Sequence, residues 1–184
     1  MDGDWDITGW DLRKSLVLLK KSNATLIERF QSPMEYYSVR GFNAEFKKLI
    51  ESYYSPTAVF FHHYSLAKKL WDDINGKGEF KLKSLFYLVR SLLSCNWIIN
   101  DKSVLPMQIE GLMKYADGEI TKKLRSLIEL KAGVGEKYFH KKDDVMNEWI
   151  VEKFETIEAS GKNLGVSKNN IGLLNEFFLK MLNA

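Results

Sequence analysis

The spacing of apolar residues is helical along almost the whole chain, and it limits the possible folds more than any other feature. Apolar side chains recur at helical intervals, as at Leu12, Leu16 and Leu19, whereas the alternation typical of strands is almost absent. Only three prolines occur in 184 residues. We therefore predict an all-α fold, an irregular bundle of about seven or eight helices, in which residues 4–7 at the N-terminus form the only strand.

Several predicted helices begin and end at residues suited to those positions. Asp11 and Ser55 are good N-cap residues, and Pro56 suits the first position of a helix. Gly76-Lys77-Gly78 predicts the end of the helix that starts at Ser55, and the most apolar helix is predicted from Phe80 to about Ile99. We predict one domain over residues 1–184, with lobes at residues 9–75 and 79–184 that pack as one body.

Composition narrows the setting in which the chain works. The formal net charge of +3 permits contact with phosphate-bearing partners without demanding it. Cys95 is the only cysteine, so no internal disulfide can form, as is typical of a reducing compartment. The apolar runs are too short to span a bilayer, and the first residues, Met1-Asp2-Gly3-Asp4, are unlike a signal peptide. We expect a cytoplasmic protein without membrane contact.

A set of short motifs occurs in a fixed order along the chain. It comprises Trp5-Asp6-Ile7-Thr8-Gly9-Trp10-Asp11-Leu12-Arg13-Lys14, Ser22-Asn23, Ser32-Pro33, Tyr54-Ser55-Pro56, His62-His63-Tyr64, Ala67-Lys68, Lys81-Leu82-Lys83, Tyr87, Arg90, Leu93, Cys95, Trp97, Pro106-Met107 and Leu130-Lys131. This order resembles the predicted nucleotidyltransferases of the DNA polymerase beta superfamily of bacteria and phages, which have been grouped with RNA-repair genes. The resemblance covers roughly residues 5–140.

The resemblance implies an enzyme whose catalytic core precedes these motifs. That core carries a Gly-Ser turn followed by an Asp-x-Asp pair, because the chemistry needs metal ions held by carboxylates. Asp2-Gly3-Asp4 has the spacing of the pair, but no Gly-Ser turn precedes it. We therefore expect the helical part of such an enzyme, inactive by itself, with Mg²⁺ bound only where a catalytic core is supplied.

By its position in the motif order, Asp6 corresponds to the third carboxylate of the family, which is both a catalytic residue and a metal ligand. Asp2, Asp4 and Asp6 alternate, so on a strand they would share one face that could hold a divalent cation. The alternative is an exposed, frayed acidic terminus.

Two basic groups are candidates for contact with a nucleotide or an RNA backbone. Lys83, Tyr87 and Arg90, together with Ser94, fall on one stripe of a predicted helix, and the resemblance implies that this stripe faces the nucleotide cleft. Lys14 belongs to the second group, which also contains Arg13, Lys20 and Lys21. The alternative for both groups is an ordinary solvated helix face.

Three functions remain open at this point. The chain is the nucleotide- and acceptor-binding part of a nucleotidyltransferase, or a non-catalytic remnant that binds protein or nucleic acid, as in phage or mobile-element regulation. The third alternative is an unrelated helical interaction module. The partners expected are a nucleotide or RNA, and a second protein or a second copy that covers the surface left by the missing core.

Overall fold

The computed structural model describes residues 9–39, 41–161, 164 and 171–183. Over these residues the chain forms nine α-helices, one 3₁₀ turn and one pair of short strands. In chain order the elements are α1 (Leu12–Lys20), α2 (Ala24–Arg29), α3 (Phe42–Tyr53), α4 (Pro56–Ile74), β1 (Glu79–Lys81), α5 (Leu82–Asp101), α6 (Ile109–Leu112), the 3₁₀ turn (Met113–Tyr115), α7 (Gly118–Gly133), β2 (Phe139–Lys141), α8 (Asp144–Ser160) and α9 (Ile171–Leu182). The predicted all-α class is confirmed, whereas the predicted strand at residues 4–7 lies outside the described residues.

The chain divides into two compact units. The first contains residues 1–54 and 167–184, and the second contains residues 55–166. The first unit is therefore built from α1, α2, α3 and α9, and the second from all the elements between α4 and α8. The prediction of one domain with lobes at residues 9–75 and 79–184 stays a prediction.

In the first unit, side-chain caps set the starts of the first two helices. The Lys14 backbone N–H donates to the Asp11 carboxylate at 2.8 Å, and the Leu26 N–H donates to the Asn23 side-chain oxygen at 3.0 Å. Each cap satisfies a backbone donor that the helix itself leaves without a partner. Ser22, between the two helices, has a φ of 51°, so the chain reverses there through a left-handed residue.

A cluster of phenylalanines forms the core of the first unit. Phe30 stacks on Phe46 with ring centroids 4.2 Å apart, and Phe42 lies beside Phe46 at 5.5 Å. Phe177 of α9 contacts Phe42 at 5.6 Å and Phe46 at 5.7 Å. Aromatic pairs at these distances are favourable beyond the area that they bury, so α9 packs on α3 although it is distant in sequence.

The central element of the second unit is α5. Eleven of its twenty residues are buried, and it packs against α4, α8, α6 and β1. The adjacent α4 starts where the sequence predicts, because Ser55 Oγ accepts the Ala58 N–H at 3.3 Å and Pro56 occupies the first turn. Within the part of the chain that the structure describes, no helix combines the length and the apolar composition needed to cross a membrane.

The two strands form a small antiparallel ladder in the second unit. Glu79 pairs with Lys141, Phe80 with His140, and Lys81 with Phe139. The chain leaves α4 through Gly76, whose φ of 80° suits glycine, and then enters β1. The predicted helix from Phe80 therefore starts later, at Leu82, because residues 79–81 pair with a distant segment instead.

Candidate functional site

Lys83 and Tyr87 form an accessible pair on the largely buried helix α5. Tyr87 is 49% exposed and the Lys83 side chain is 43% exposed. The Lys83 ammonium lies 3.1 Å from the carboxylate of Glu136, and the hydrogen bond and charge of Glu136, followed by the charge of Tyr87, raise the pKa of Lys83. A stable cation beside a phenol can contact a phosphate and a sugar or base together.

Arg90 shares the stripe with this pair but already has a structural role. Its guanidinium donates to the Met107 carbonyl at 2.7 Å and to the Pro106 carbonyl at 3.4 Å. These bonds tie the segment after α5 back to the helix. Ser94, at the next position of the stripe, is fully buried, so the stripe runs from solvent into the core.

Lys14 lies in the first unit and contacts an indole ring. Its ammonium is 5.5 Å from the centroid of Trp10, and the Arg29 guanidinium carbon is 4.5 Å from the same ring. Two cations therefore share one aromatic partner, each at a distance that allows a cation–π interaction. Lys14 itself is exposed, as contact with a phosphate would require.

The other three cations of the predicted α1 group line a groove in the first unit. Arg13, Lys20 and Lys21 border a space of about 810 Å³ between α1 and α9. The apolar part of the groove includes Leu174 and Phe178, and the Arg13 guanidinium carbon lies 5.8 Å from the Phe178 ring centroid. The groove therefore has an apolar floor and a basic border.

Asp6, the predicted catalytic and metal-binding carboxylate, lies outside the described residues, as do Asp2 and Asp4. Within residues 9–39, 41–161, 164 and 171–183, no group of three or more His, Cys, Asp or Glu side chains could hold a metal ion. The described residues alone do not fit a magnesium centre. Asp6 and Mg²⁺ stay predictions.

The second unit contains a cavity of about 320 Å³ bordered by lysines, which we call the lysine cavity. Its floor is apolar and formed largely by buried side chains from α4, β1, α5 and α8. The floor residues are Ile74, Phe80, Leu85, Met146 and Ile150. The lysines that line the cavity, in the part of the chain that the structure describes, are Lys77, Lys122, Lys123 and Lys142. The arrangement combines an apolar interior with a cationic entrance.

Among the described residues, Asp143 is the one acidic residue that lines the lysine cavity, and it is already paired. Its carboxylate lies 2.6 Å from the Lys123 ammonium and caps α8 by accepting the Met146 N–H at 2.8 Å. Burial favours the neutral acid, but the Lys123 hydrogen bond, the Met146 N–H and the Lys123 charge outweigh it and lower the pKa of Asp143. Asp143 therefore neutralises Lys123 and leaves the other lysines as the source of positive charge.

The β1–β2 ladder separates the residues of the lysine cavity from those of the opposite face. Phe80 and His140 are paired across the ladder and both line the cavity, with ring centroids 6.5 Å apart. Lys81 and Lys141 occupy alternate positions, which point to the other side of the strands, and both are exposed. Lys141 is thus a lysine of the same strand that does not line the cavity.

The lysine cavity was not predicted from the sequence. Lys77 follows α4, Lys122 lies within α7 and Lys142 follows β2. Only the fold brings these three lysines to one cavity. In the sequence, Gly76-Lys77-Gly78 indicates only the end of a helix. No local spacing could have indicated this site, because its residues come from segments that are far apart in sequence.

Comparison with known proteins gives a family and one curated relative. Residues 1–180 match the family model of the RNA repair pathway DNA polymerase beta family, RlaP. The uncharacterized protein YcgL of Bacillus subtilis (strain 168) is 32% identical over 168 residues, which cover 90% of this chain and 65% of YcgL. The chain thus spans about two thirds of the length of that relative. No solved structure matches the chain significantly. On the family match, which covers nearly its whole length, the chain belongs to the RNA repair pathway DNA polymerase beta family.

Proposed function

We propose that this chain is the helical part of a nucleotidyltransferase-like protein that holds a nucleotide and an RNA acceptor, and that it does not transfer nucleotides by itself. The observation that carries the proposal is the accessible Lys83–Tyr87 pair on α5, in a chain of an RNA repair family. The helix that carries these two groups is mostly buried, so its backbone is already fixed and only side-chain freedom is lost on binding. RNA affinity is largely electrostatic, which suits the lysine.

Each predicted site residue has a role in this proposal. Lys83 contacts a phosphate as a point charge, and Tyr87 contacts a sugar or base with its ring or hydroxyl. Arg90 fixes the segment beside this surface through the Met107 carbonyl. In the first unit, Lys14 contacts a phosphate, and Asp6 is the catalytic carboxylate that binds Mg²⁺ together with acidic residues of a core.

RNA binding tests the proposed surface. A fluorescent single-stranded RNA is titrated with the full chain, and binding is followed by anisotropy at several salt concentrations. Lys83→Gln is expected to weaken binding for all sequences and to reduce the salt slope by about one. Lys69→Gln is the matched control, because Lys69 is an exposed lysine on α4 of the same unit. Equal affinities of the wild type and of Lys83→Gln and Tyr87→Ala would contradict the proposal.

Nucleotide transfer tests the second half of the proposal. The chain is incubated with Mg²⁺, an RNA acceptor and radiolabelled nucleoside triphosphates, and labelled RNA is separated on a gel. The sequence contains no Gly-Ser turn followed by Asp-x-Asp, so we expect no transfer. Transfer by the chain alone that is abolished by Asp6→Asn would show that it is a complete catalyst.

A second candidate function is that of a non-catalytic module that binds a protein. The α1–α9 groove favours it, because Val17 and Ile171 line the groove and are 50% and 55% exposed. Apolar side chains that are exposed together mark interaction sites more often than isolated ones do. Light scattering of the purified chain measures self-association, and a strict monomer would count against a second copy as the partner.

A further inference from the structure

The lysines that line the cavity carry more positive charge than the nearby carboxylates offset, which favours an anionic ligand. Asp143 offsets only Lys123, and Lys142 has a long contact of 3.8 Å with Asp144, whose side chain is 88% exposed. Within the described part of the chain, Lys77 and Lys122 have no carboxylate within ion-pair distance. Several ammonium groups around one opening repel each other, and an anion placed among them relieves that repulsion.

The apolar floor of the same cavity favours a ligand with a flat, apolar group. Phe80 is 9% exposed, and Ile74, Leu85, Met146 and Ile150 are buried more deeply. An inorganic anion at the rim would leave this floor in contact with water, whereas a ring placed on it would displace that water. The volume of about 320 Å³ lies near the lower end of the roughly 300–1,000 Å³ of small-molecule sites, which suits one ring system with its charged group.

Two polar side chains that line the cavity can orient such a ring. Asn147 and Ser126 line the cavity beside the apolar residues, from α8 and α7. An amide carries both donors and an acceptor, and a hydroxyl can do either, so they match the mixed edge of a nucleobase. A few convergent polar groups over an apolar floor are typical of sites that bind small ligands.

We propose that the lysine cavity binds a nucleotide that carries a terminal phosphate. The base lies on the floor that contains Phe80, and the phosphate lies among Lys77, Lys122 and Lys142. The choice of a nucleotide over other aromatic phosphates rests on the proposed function, whereas the pairing of a ring with an anion rests on the cavity itself. The same chemistry is offered by a free nucleoside phosphate and by the phosphorylated end of an RNA strand.

Calorimetric titration of the full chain tests the proposal with three probes. These are nucleoside monophosphates with each of the four RNA bases, the corresponding nucleosides, and inorganic phosphate. We expect at least one monophosphate to bind at least about tenfold more tightly than its nucleoside and than inorganic phosphate. Only the monophosphate contacts both the apolar floor and the lysines at the rim. If inorganic phosphate binds as tightly as every monophosphate, the role of the floor is wrong and the proposal fails.

Variants locate the binding within the cavity. Lys77→Gln and Lys122→Gln are each expected to weaken monophosphate binding about tenfold. Lys141→Gln is the matched control and is expected to leave it unchanged, since Lys141 lies on the opposite face of the ladder. Ser126→Trp puts a large side chain at an exposed position of the cavity wall and should abolish binding without lowering the unfolding temperature. Unchanged affinities in Lys77→Gln, Lys122→Gln and Ser126→Trp would overturn the proposal.

An RNA tetranucleotide with a 5′-phosphate, compared with the same tetranucleotide without it, distinguishes a strand end from a free nucleoside phosphate as the ligand. Preference for the phosphorylated strand that is lost in Lys122→Gln supports a strand end as the ligand, even where free monophosphates bind weakly. If neither a free monophosphate nor the phosphorylated strand binds, the inference is overturned.

The proposed function and the cavity proposal can fail independently of each other. Lys83→Gln and Tyr87→Ala test RNA affinity at the α5 surface, whereas the cavity variants test monophosphate binding. If Lys83→Gln and Tyr87→Ala lose monophosphate binding and the cavity variants keep it, the cavity is not the binding site. The α5 surface is then the nucleotide site.

Discussion

Asp143 makes two distinct contacts, and two substitutions separate them. One carboxylate oxygen accepts the Met146 N–H at 2.8 Å and caps α8, while the other lies 2.6 Å from the Lys123 ammonium of α7. Asp143→Asn keeps an oxygen for the cap but removes the charge. Asp143→Ala removes both contacts, so the difference between the two variants isolates the cap.

The size of each effect follows from these contacts. Loss of an N-cap oxygen costs about 1 kcal/mol of unfolding free energy. The ion pair is partly open to solvent, since its side chains are 30% and 37% exposed, so screening limits it to about 0.5–1 kcal/mol. We therefore expect Asp143→Asn to cost about 0.5–1 kcal/mol and Asp143→Ala about 1.5–2 kcal/mol, each relative to the wild type.

The pH dependence gives an independent check of the charge. Burial acts to raise the pKa of Asp143, but the hydrogen bonds from Lys123 and Met146 and the Lys123 charge outweigh it, so the pKa in the folded state is lowered. The stabilisation is therefore complete above the unfolded-state pKa of about 3.9 and is lost as the pH falls through the lower folded-state pKa. The advantage of the wild type over Asp143→Asn is thus expected to be constant between about pH 5 and 8 and to shrink below about pH 4.

Urea unfolding followed by circular dichroism measures these differences at a series of pH values. Asp144→Asn is the matched control, because Asp144 is 88% exposed and its contact with Lys142 is 3.8 Å long. Its cost is expected to stay within about 0.5 kcal/mol. Equal costs for Asp143→Asn and Asp143→Ala would refute the cap. An advantage of the wild type over Asp143→Asn that persists unchanged at acidic pH would refute the charge.

Three further predictions follow from packing and hydrogen bonding. A Cβ at Gly161 would overlap the ring of buried Phe60, so Gly161→Ala should cost about 1–3 kcal/mol in a thermal or urea unfolding assay, and an unchanged stability would contradict this packing. Cys95 is 0% exposed and burial raises the pKa of its thiol, so it should react with a chromogenic disulfide at pH 8 only after unfolding; rapid reaction of the folded chain would be inconsistent with this. Arg90→Lys keeps the charge but loses the two-carbonyl grip, so limited proteolysis should cut near Met107 faster, whereas an unaltered pattern would show that charge alone suffices.

Much of the helical fold was predictable because helix signals are local. Asp11 and Ser55 cap helices where the sequence predicts, and α4 ends before Gly76. The same locality explains the error at the start of α5. The β1 strand is only three residues long, too short for alternation to be visible, and its partner β2 lies almost sixty residues further along the chain.

The candidate sites divide in the same way. Helical spacing alone places Lys83 and Tyr87 on one face of α5, so that surface could be predicted from the sequence. The hydrogen bonds from Arg90 to backbone carbonyls could not be predicted, because they depend on where the segment after α5 packs. The lysine cavity could not be predicted at all, since Lys77 follows α4 and Lys122 lies on α7, and they border one cavity only in the folded chain.

The two candidate surfaces of the second unit share α5 and lie on different faces of it. Lys83 and Leu85 are two residues apart, which on a helix is about 200° of rotation, and Leu85 lines the cavity while Lys83 faces solvent. Lys83 pairs with Glu136, and Lys122 shares no ion-pair partner with it among the described residues. Substitutions of Lys83 and Lys122 should therefore act additively on a ligand that touches both surfaces, such as an RNA strand with a phosphorylated end. Strong coupling between them would mean instead that one basic surface, rather than two, holds the ligand.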